Sequence, residues 1–295
     1  MGWHLDGQVL PGSEAAAELE SLRTFGPSVV EEDDGTLRMW YSGHDGSTSR
    51  ILEAVQHPGG PWERRGVSID VGFAGESDAY GVESPSVVFT PDGYLMAYAG
   101  SDGADTRLHM AKSSDGQLWK PLGTFLEREE ADAVGATHPC LVVTSQLWWL
   151  FYSGYDGSEN GRRAAILAAV SDSGASWDRL GPVLEPGRDE LAVFEPWVVM
   201  SQRRFSMFYV SDDGRRSAIQ MATSEDGLSW DRRGNTLPGS GDDVDTLEER
   251  SPCVLRLRDG SLRLWFTIRP TGDVSGAYHL CSATFDGSGD WLSAG

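Results

Sequence analysis

The residues that precede five regularly spaced prolines include most of the side chains that could perform chemistry. The prolines recur every 54 to 58 residues, and each one opens an apolar run. The residues directly before them are, in chain order, Gly26, Ser84, His138, Glu195 and Ser251. Glu83 and Arg250 stand one step earlier in the second and fifth cases. A carboxylate, an imidazole and a guanidinium in one cleft would suit proton transfer or recognition of sugar hydroxyls. Glu195, His138 and Glu83 are therefore candidate catalytic residues, and Arg250 is a candidate substrate-binding residue.

The sequence around these prolines is one unit that occurs five times. Each unit continues from its proline through an apolar run, a polar turn, an aromatic strand such as residues 150–152 and a third alternating strand. It closes with a turn such as Asp-Gly-Leu-Ser-Trp at residues 226–230. Proline is tolerated at the first residue of a strand, and Asp-Gly favours hairpin turns. The pattern predicts an all-β protein, a five-bladed β-propeller of four-stranded antiparallel blades, in which residues 1–295 form a single domain.

The two ends of the chain predict how the ring closes. Most units carry Trp-x-x-x-Gly before the fourth strand, and the same pattern occurs at the N-terminus as Trp3 and Gly7. At the C-terminus it occurs as Trp291 and Gly295, where the sequence ends before any further strand. We predict that the N-terminal strand completes the last blade, because this pairing removes an exposed sheet edge.

The innermost strand of a propeller blade faces the axial channel, so the residues before the prolines should surround one mouth of that channel. The second strand of each blade ends where the first begins, and the loops that follow it should therefore reach the same mouth. These loops and the fourth proline add candidate substrate-binding residues, namely His44, Asp45, Tyr155, Asp156, Trp197 and Arg269. For the acidic residues of the loops the alternative is an ordinary solvated turn.

Residues that occur in every unit of a repeat protein are more often structural than functional. An acidic residue stands seven positions before each proline, as Glu20, Asp78, Asp132, Asp189 and Asp245. We expect these carboxylates to fix loops. The tyrosines of the aromatic strands should belong to the framework for the same reason, and they are Tyr41, Tyr98, Tyr152 and Tyr209.

The composition excludes several classes of partner. The chain has 45 acidic and 24 basic residues and a formal net charge of −21, so it should repel nucleic acids and anionic membranes. The N-terminus has no basic region followed by an apolar stretch, and no apolar run is long enough to span a bilayer. Cys140, Cys253 and Cys281 lack metal-ligand spacing and are expected to be reduced, buried thiols of a cytoplasmic protein. We expect no cofactor, no metal, a small-molecule or carbohydrate substrate, and a monomer or small homo-oligomer.

The combination of an acidic residue and Pro before the first strand, an aromatic strand with Tyr, and Ser-x-Asp-Gly-x-x-Trp resembles the five-bladed β-propeller glycoside hydrolase superfamily. This superfamily includes arabinanases, β-xylosidases, invertases, levansucrases and mannoside phosphorylases, and the resemblance covers essentially the whole chain. In arabinanase-like members, catalytic carboxylates open the innermost strands of the first, third and fourth blades. The resemblance implies that Glu195 is the general acid. His138 and Gly26 occupy the other two positions and depart from the pattern, and Gly26 cannot be a base or nucleophile.

Three functions therefore remain open. The first is an enzyme, whether hydrolase, phosphorylase or transglycosylase, that acts on a glycoside or sugar-like small molecule with Glu195 as proton donor. The second is a related propeller that performs non-hydrolytic elimination, cyclisation or isomerisation, which His138 with Glu195 and Glu83 would suit. The third is a sugar-binding propeller without catalytic activity.

Overall fold

Twenty β-strands form five four-stranded antiparallel sheets in a computed structural model that describes residues 2–10, 19–201, 203–237, 246–270 and 277–287. The first strand of the chain is β1 (Trp3–Gln8), which belongs to the last blade. The first blade contains β2 (Arg23–Glu31), β3 (Leu37–His44), β4 (Ser49–Gln56) and β5 (Trp62–Ile69). The second contains β6 (Gly81–Thr90), β7 (Gly93–Ser101), β8 (Thr106–Ser113) and β9 (Lys120–Thr124).

The remaining blades repeat this up-and-down order. The third contains β10 (Gly135–Val143), β11 (Trp148–Tyr155), β12 (Ala164–Ser171) and β13 (Asp178–Leu184). The fourth contains β14 (Ala192–Ser201), β15 (Arg204–Asp212), β16 (Ser217–Ser224) and β17 (Asp231–Asn235). The fifth contains β18 (Thr246–Arg256), β19 (Leu262–Pro270) and β20 (His279–Phe285). A 3₁₀ turn at Glu130–Asp132 and a single helical turn, α1 (Ser158–Gly161), lie in loops. In the described residues no helix has the length and apolar character needed to cross a membrane.

The inner strands close the ring, as the repeat predicted. Each inner strand packs against the inner strand of the next blade, and β18 contacts β2. In the fifth blade the order is β1-β20-β19-β18, and Trp3 pairs with Phe285 at the start of β1. The predicted five-bladed fold and its closure by the N-terminal strand are therefore confirmed. The predicted Trp291 and Gly295 lie outside the described residues.

Each inner strand carries a β-bulge at its proline. The strand register shifts around this point in all five blades. The residue before the proline has a left-handed backbone, with φ of 58° at Gly26, 55° at Ser84, 48° at His138, 54° at Glu195 and 51° at Ser251. This conformation costs a non-glycine residue about 1–2 kcal/mol. Bulges redirect side chains and are frequent beside active sites, so the repeat itself turns these five positions toward the channel.

The residue after each proline links its blade to the next one. The hydroxyls of Ser28 and Ser86 accept hydrogen bonds from Val87 N–H and Leu141 N–H, at 2.9 Å each. At the same position in the third and fifth blades the thiols of Cys140 and Cys253 accept from Val198 N–H at 3.1 Å and Val29 N–H at 3.4 Å. In the fourth blade Trp197 Nε1 instead donates to Val254 O at 2.9 Å. Two of the three free, buried cysteines thus serve as inter-blade acceptors.

The repeated acidic residues hold the tyrosines, with one correction to the prediction. Glu20 accepts from the Tyr41 hydroxyl at 2.6 Å, and Asp78 and Asp132 accept from Tyr98 and Tyr152. In the fourth blade the carboxylate is Glu190 rather than the predicted Asp189. Gly187 N–H donates to Glu190 Oε2 at 2.6 Å, and this turn presents Glu190 to Arg232 and leaves Asp189 exposed. Asp245 lies outside the described residues.

Candidate active site

A cavity of about 170 Å³ lies at the channel mouth where the inner strands begin. Every blade contributes to its wall. The lining residues are Arg23, Phe25, Glu83, His138, Glu195, Arg250, Ser251, Thr267 and Tyr278. A second, smaller cavity of about 20 Å³ lies in the channel between the five prolines and Trp197. The structure therefore brings the four candidates that stand one or two positions before a proline, Glu83, His138, Glu195 and Arg250, into one cavity.

The two carboxylate oxygens of Glu195 have different surroundings. The residue is only 4% exposed. Its Oε2 accepts hydrogen bonds from Ser251 N–H at 2.5 Å and from the Ser251 hydroxyl at 3.0 Å. Its Oε1 lies 3.5 Å from His138 Nε2 and 3.5 Å from Arg250 Nη1. Oε2 is thus fixed to the neighbouring blade, and Oε1 is the oxygen available for proton exchange.

His138 lies between the hydroxyl of the preceding residue, Thr137, and the carboxylate of Glu195. Its Nδ1 lies 3.0 Å from the Thr137 hydroxyl, on the opposite side of the ring from Glu195. Tyr155, the last residue of β11, lies close to Thr137. Burial, followed by the negative charges of Glu195 and Glu83, raises the pKa of Tyr155 to about 12. Tyr155 is therefore a neutral hydroxyl near neutrality, and the imidazole is held between Thr137 and the carboxylate.

Arg250 is the central cation of the cavity. Burial disfavours its charge, but the negative charge of Glu195, together with Tyr278 and Glu248, raises the pKa of Arg250 above its ordinary value. The guanidinium carbon lies 5.1 Å from the centroid of the Phe194 ring. Arg250 Nε lies 3.4 Å from Glu248 Oε2. Glu248 itself accepts hydrogen bonds from Arg269 at 2.5 Å and from the Tyr278 hydroxyl at 2.8 Å. Arg269 therefore contacts Glu248 behind the wall and does not line the cavity.

The loop candidates His44, Asp45 and Asp156 hold their own turns. His44 Nδ1 accepts from Gly46 N–H at 2.9 Å. Asp45 Oδ1 accepts from the hydroxyl and backbone N–H of Ser47, and these hydrogen bonds lower the pKa of Asp45. Asp156 Oδ1 accepts from the Ser158 hydroxyl at 2.6 Å. None of the three lines the cavity formed by the described residues, and a role in binding stays a prediction for them.

Two other candidates occupy the wall in different ways. Glu83 is partly buried in the wall, and its Oε2 accepts from the Ser49 hydroxyl at 3.3 Å. Trp197 lies deeper, where its indole N–H is used by the inter-blade hydrogen bond to Val254. Glu83 therefore faces the cavity with one neutral partner, whereas Trp197 forms its floor.

Sequence reasoning missed several wall residues, and one of them could have been found. Phe25 occupies the same unit position as Glu83 and Arg250, directly before the residue that precedes proline. Arg23 lies two residues earlier on the same face of β2, and Tyr278 approaches it from the fifth blade. No repeat position marks Tyr278. In the described part of the chain no group of three His, Cys, Asp or Glu side chains could hold a metal ion.

The five-bladed fold of this chain is similar to that of several solved glycoside hydrolases. A solved glycoside hydrolase superposes with a TM-score of 0.78 at 14% identity and covers 95% of this chain and 91% of its own. A family 117 glycoside hydrolase of Zobellia galactanivorans, Zg3597, gives a TM-score of 0.73 at 13% identity, with coverages of 96% and 90%. A thermostable family-43 glycoside hydrolase gives 0.69 at 15% identity, with coverages of 90% and 91%. The resemblance inferred from the motifs is confirmed at the level of the fold.

The sequence relatives do not indicate an activity for this chain. No protein-family model matches the chain. Uncharacterized protein Rv1502 of Mycobacterium tuberculosis (strain ATCC 25618 / H37Rv) is 25% identical over 292 residues, covering 90% of this chain and 94% of its own length. Uncharacterized protein MT1551 of strain CDC 1551 / Oshkosh matches to the same extent. The function must therefore be argued from the cavity.

Proposed function

We propose that the protein is an enzyme of the glycoside hydrolase type, which binds a glycoside or sugar-like small molecule at the channel mouth and uses Glu195 as proton donor. The observation that carries this proposal is the asymmetry of the Glu195 carboxyl group. Oε2 is fixed by Ser251, whereas Oε1 faces His138 across 3.5 Å. A carboxyl group whose second oxygen is already engaged as an acceptor can carry its proton on the first oxygen and deliver it from a fixed position.

The pair of Glu195 and His138 can supply and recover this proton. When Oε1 carries the proton, Oε2 continues to accept from Ser251 as a carbonyl oxygen. Oε1 can then donate to the oxygen of the leaving group of a bound glycoside. His138 Nε2 is positioned to return a proton to Oε1, and its Nδ1 is oriented by Thr137. The left-handed backbone of both residues fixes their side chains on the cavity wall.

The second half of glycoside hydrolysis needs a base or nucleophile across the scissile bond. Gly26 supplies no carboxylate, and a Cβ atom there would lie 3.2 Å from Ser42 Oγ and 3.3 Å from Ser84 Cα. Glu83 is the remaining carboxylate of the wall and has one hydroxyl partner. We assign Glu83 the role of activating water or another acceptor. The missing carboxylate at Gly26 also favours a second candidate, non-hydrolytic acid–base chemistry with His138 and Glu83 as the proton-transferring groups.

A screen of aryl glycosides and sugar phosphates, with wild type and Glu195→Gln in parallel, tests the proposal. Gln keeps an acceptor for Ser251 and removes the proton, so turnover should fall about 10²–10⁴-fold while the fold is retained. Glu63→Gln is the matched control, because Glu63 is a half-exposed surface residue paired with Arg65. A Glu195→Gln variant that turns over an identified substrate at the wild-type rate would exclude Glu195 as proton donor.

Isotope-labelled water separates the two candidate chemistries. Hydrolysis breaks the glycosidic bond and places one oxygen atom from water in the product, whereas elimination and isomerisation do not. Incorporation of ¹⁸O into the product, lost in Glu83→Gln, would support hydrolysis with Glu83 as base. Turnover without incorporation, in buffer that contains neither phosphate nor another glycosyl acceptor, would support the second candidate.

A further inference from the structure

We infer that the ligand of this cavity carries an oxyanion group, a carboxylate or a phosphate, which is bound between Arg23 and Arg250. This inference rests on the proposed function only for the location of the ligand, and it names the substrate class that the cavity would select. The two residues belong to the first and fifth blades, which are neighbours in the closed ring.

Arg23 is a half-buried cation of the wall, and part of its guanidinium has no partner in the described ranges of the chain. Its guanidinium carbon lies 5.2 Å from the centroid of the Tyr278 ring. Within the described residues its Nε is buried and has no hydrogen-bond partner, and no carboxylate lies within ion-pair distance of its guanidinium. The framework arginines differ, since Arg38 pairs with Glu53 at 2.7 Å and Arg179 pairs with Asp132 at 2.8 Å. The chain has a net charge of −21, yet Arg23 pairs with no carboxylate among the described residues. Its donors are therefore available for a ligand in the cavity.

Arg250 is shared loosely among three carboxylates. Its nearest atoms lie 3.4 Å from Glu248, 3.5 Å from Glu195 and 4.0 Å from Asp212. Glu248 is held more closely by Arg269 and Tyr278, and Glu195 is held by Ser251. Glu248 and Glu195 are thus satisfied by other donors, and Arg250 has not formed the paired, two-bond contact that a guanidinium makes with an oxyanion.

The hydrogen-bonding groups around the two arginines favour the same ligand. Thr267 lines the cavity, and its fully buried Oγ1 has no partner among the described residues. Guanidinium groups match the planar geometry of carboxylate and phosphate, and a hydroxyl can add a third donor. The hydroxyls of a neutral sugar can accept from these donors but cannot form the charge-assisted, two-bond contact of an oxyanion, which favours an acidic ligand.

Binding without turnover tests the inference. Glucuronate, glucose and inorganic phosphate are titrated at constant ionic strength by calorimetry, with wild type, Arg23→Gln and Arg65→Gln. Arg65 is a half-exposed arginine paired with Glu63, and its variant is the matched control. We expect at least one of the two anions to bind wild type and Arg65→Gln, and Arg23→Gln to lose about 10- to 100-fold in affinity. Arg23→Lys, which keeps the charge but not the fork, should be intermediate.

The outcomes are distinguishable from a failure of the proposed chemistry. Preference for glucuronate over glucose without competition by phosphate identifies a carboxylate, and phosphate binding that depends on Arg23 identifies a phosphoryl group. Glu195→Gln removes a negative charge 3.5 Å from Arg250 and should bind the anion at least as tightly as wild type, whether or not Glu195 is the proton donor. Equal binding of both anions by Arg23→Gln and Arg65→Gln, or no anion binding by wild type, would overturn the inference and leave the proposed enzyme class untouched.

Discussion

Replacing Trp3 by Ala should destabilise the whole propeller, because Trp3 anchors the strand that closes the ring. Trp3 is 4% exposed, and its ring lies 5.3 Å from that of Phe285 and 6.4 Å from that of Phe208 in the neighbouring fourth blade. Removing a buried Trp side chain costs about 3–5 kcal/mol. The total free energy of unfolding of a protein is about 5–15 kcal/mol, so this loss would be a large fraction of it.

Leu5 on the same strand provides the control. Leu5 is 66% exposed, and Leu5→Ala should change the free energy of unfolding by less than about 0.5 kcal/mol. Urea unfolding followed by far-UV circular dichroism compares the variants without using the fluorescence of the residue that is removed. Equal midpoints and slopes for the two variants would show that β1 pairs with β20 without contributing to stability, and would refute this account of closure.

Two further predictions concern the inter-blade hydrogen bonds. Ser28→Ala leaves the buried Val87 N–H without its acceptor and should cost about 1–3 kcal/mol in urea unfolding, whereas Ser28→Cys, which copies the third and fifth blades, should cost less. Burial raises the pKa of Cys140 to about 12, so native protein at pH 8 should leave this thiol unreacted with a disulfide reagent, and three thiols should react after unfolding. The thiol ionises near its ordinary pKa in the unfolded chain but stays protonated in the folded one, so the free energy of unfolding should fall as the pH rises from about 9 to 12. Cys140→Ser should reduce this fall, and an unchanged pH dependence in that variant would contradict the assignment.

The architecture could be predicted from the sequence because its signals are local and occur five times. Each proline marks an inner strand and each Asp-Gly marks a turn, and each of these features needs only a few neighbouring residues. The prediction that proline is the first residue of the strand was wrong, because the strand starts earlier and continues through a bulge at the proline. The position of the candidate site could also be predicted, because Glu195 and His138 occupy the same position of the repeat in neighbouring blades. The direction of their side chains follows from the bulge, and the sequence did not reveal that four non-glycine residues would adopt its left-handed backbone.

Apart from Phe25, the wall residues that meet only when the ring closes could not be predicted. Arg23 and Tyr278 are far apart in the chain and come from the first and fifth blades. Their contact depends on loop geometry that no repeat position encodes. The exchange of Glu190 for Asp189 has a similar origin, because the turn that fixes Glu190 through Gly187 N–H shifts the useful carboxylate by a single residue.

Glu195 also has a structural role, since it accepts a hydrogen bond from Ser251 N–H of the next blade. This role determines which substitution can test its part in catalysis. In the second and fourth blades the N–H of the residue before proline donates to a serine of the preceding blade, as Ser84 N–H does to Ser42 Oγ and Glu195 N–H does to Ser153 Oγ, at 2.8 Å each. The corresponding residue of the fourth blade is Val210, which has no acceptor, and Ser251 N–H donates to Glu195 Oε2 instead.

Glu195→Ala would therefore remove a framework hydrogen bond together with any proton donor, and a loss of activity in that variant could not distinguish the two. Glu195→Gln keeps the acceptor for Ser251 N–H and removes only the ionisable proton and its charge. A large loss of turnover with an unchanged urea midpoint in Glu195→Gln separates catalysis from support of the ring.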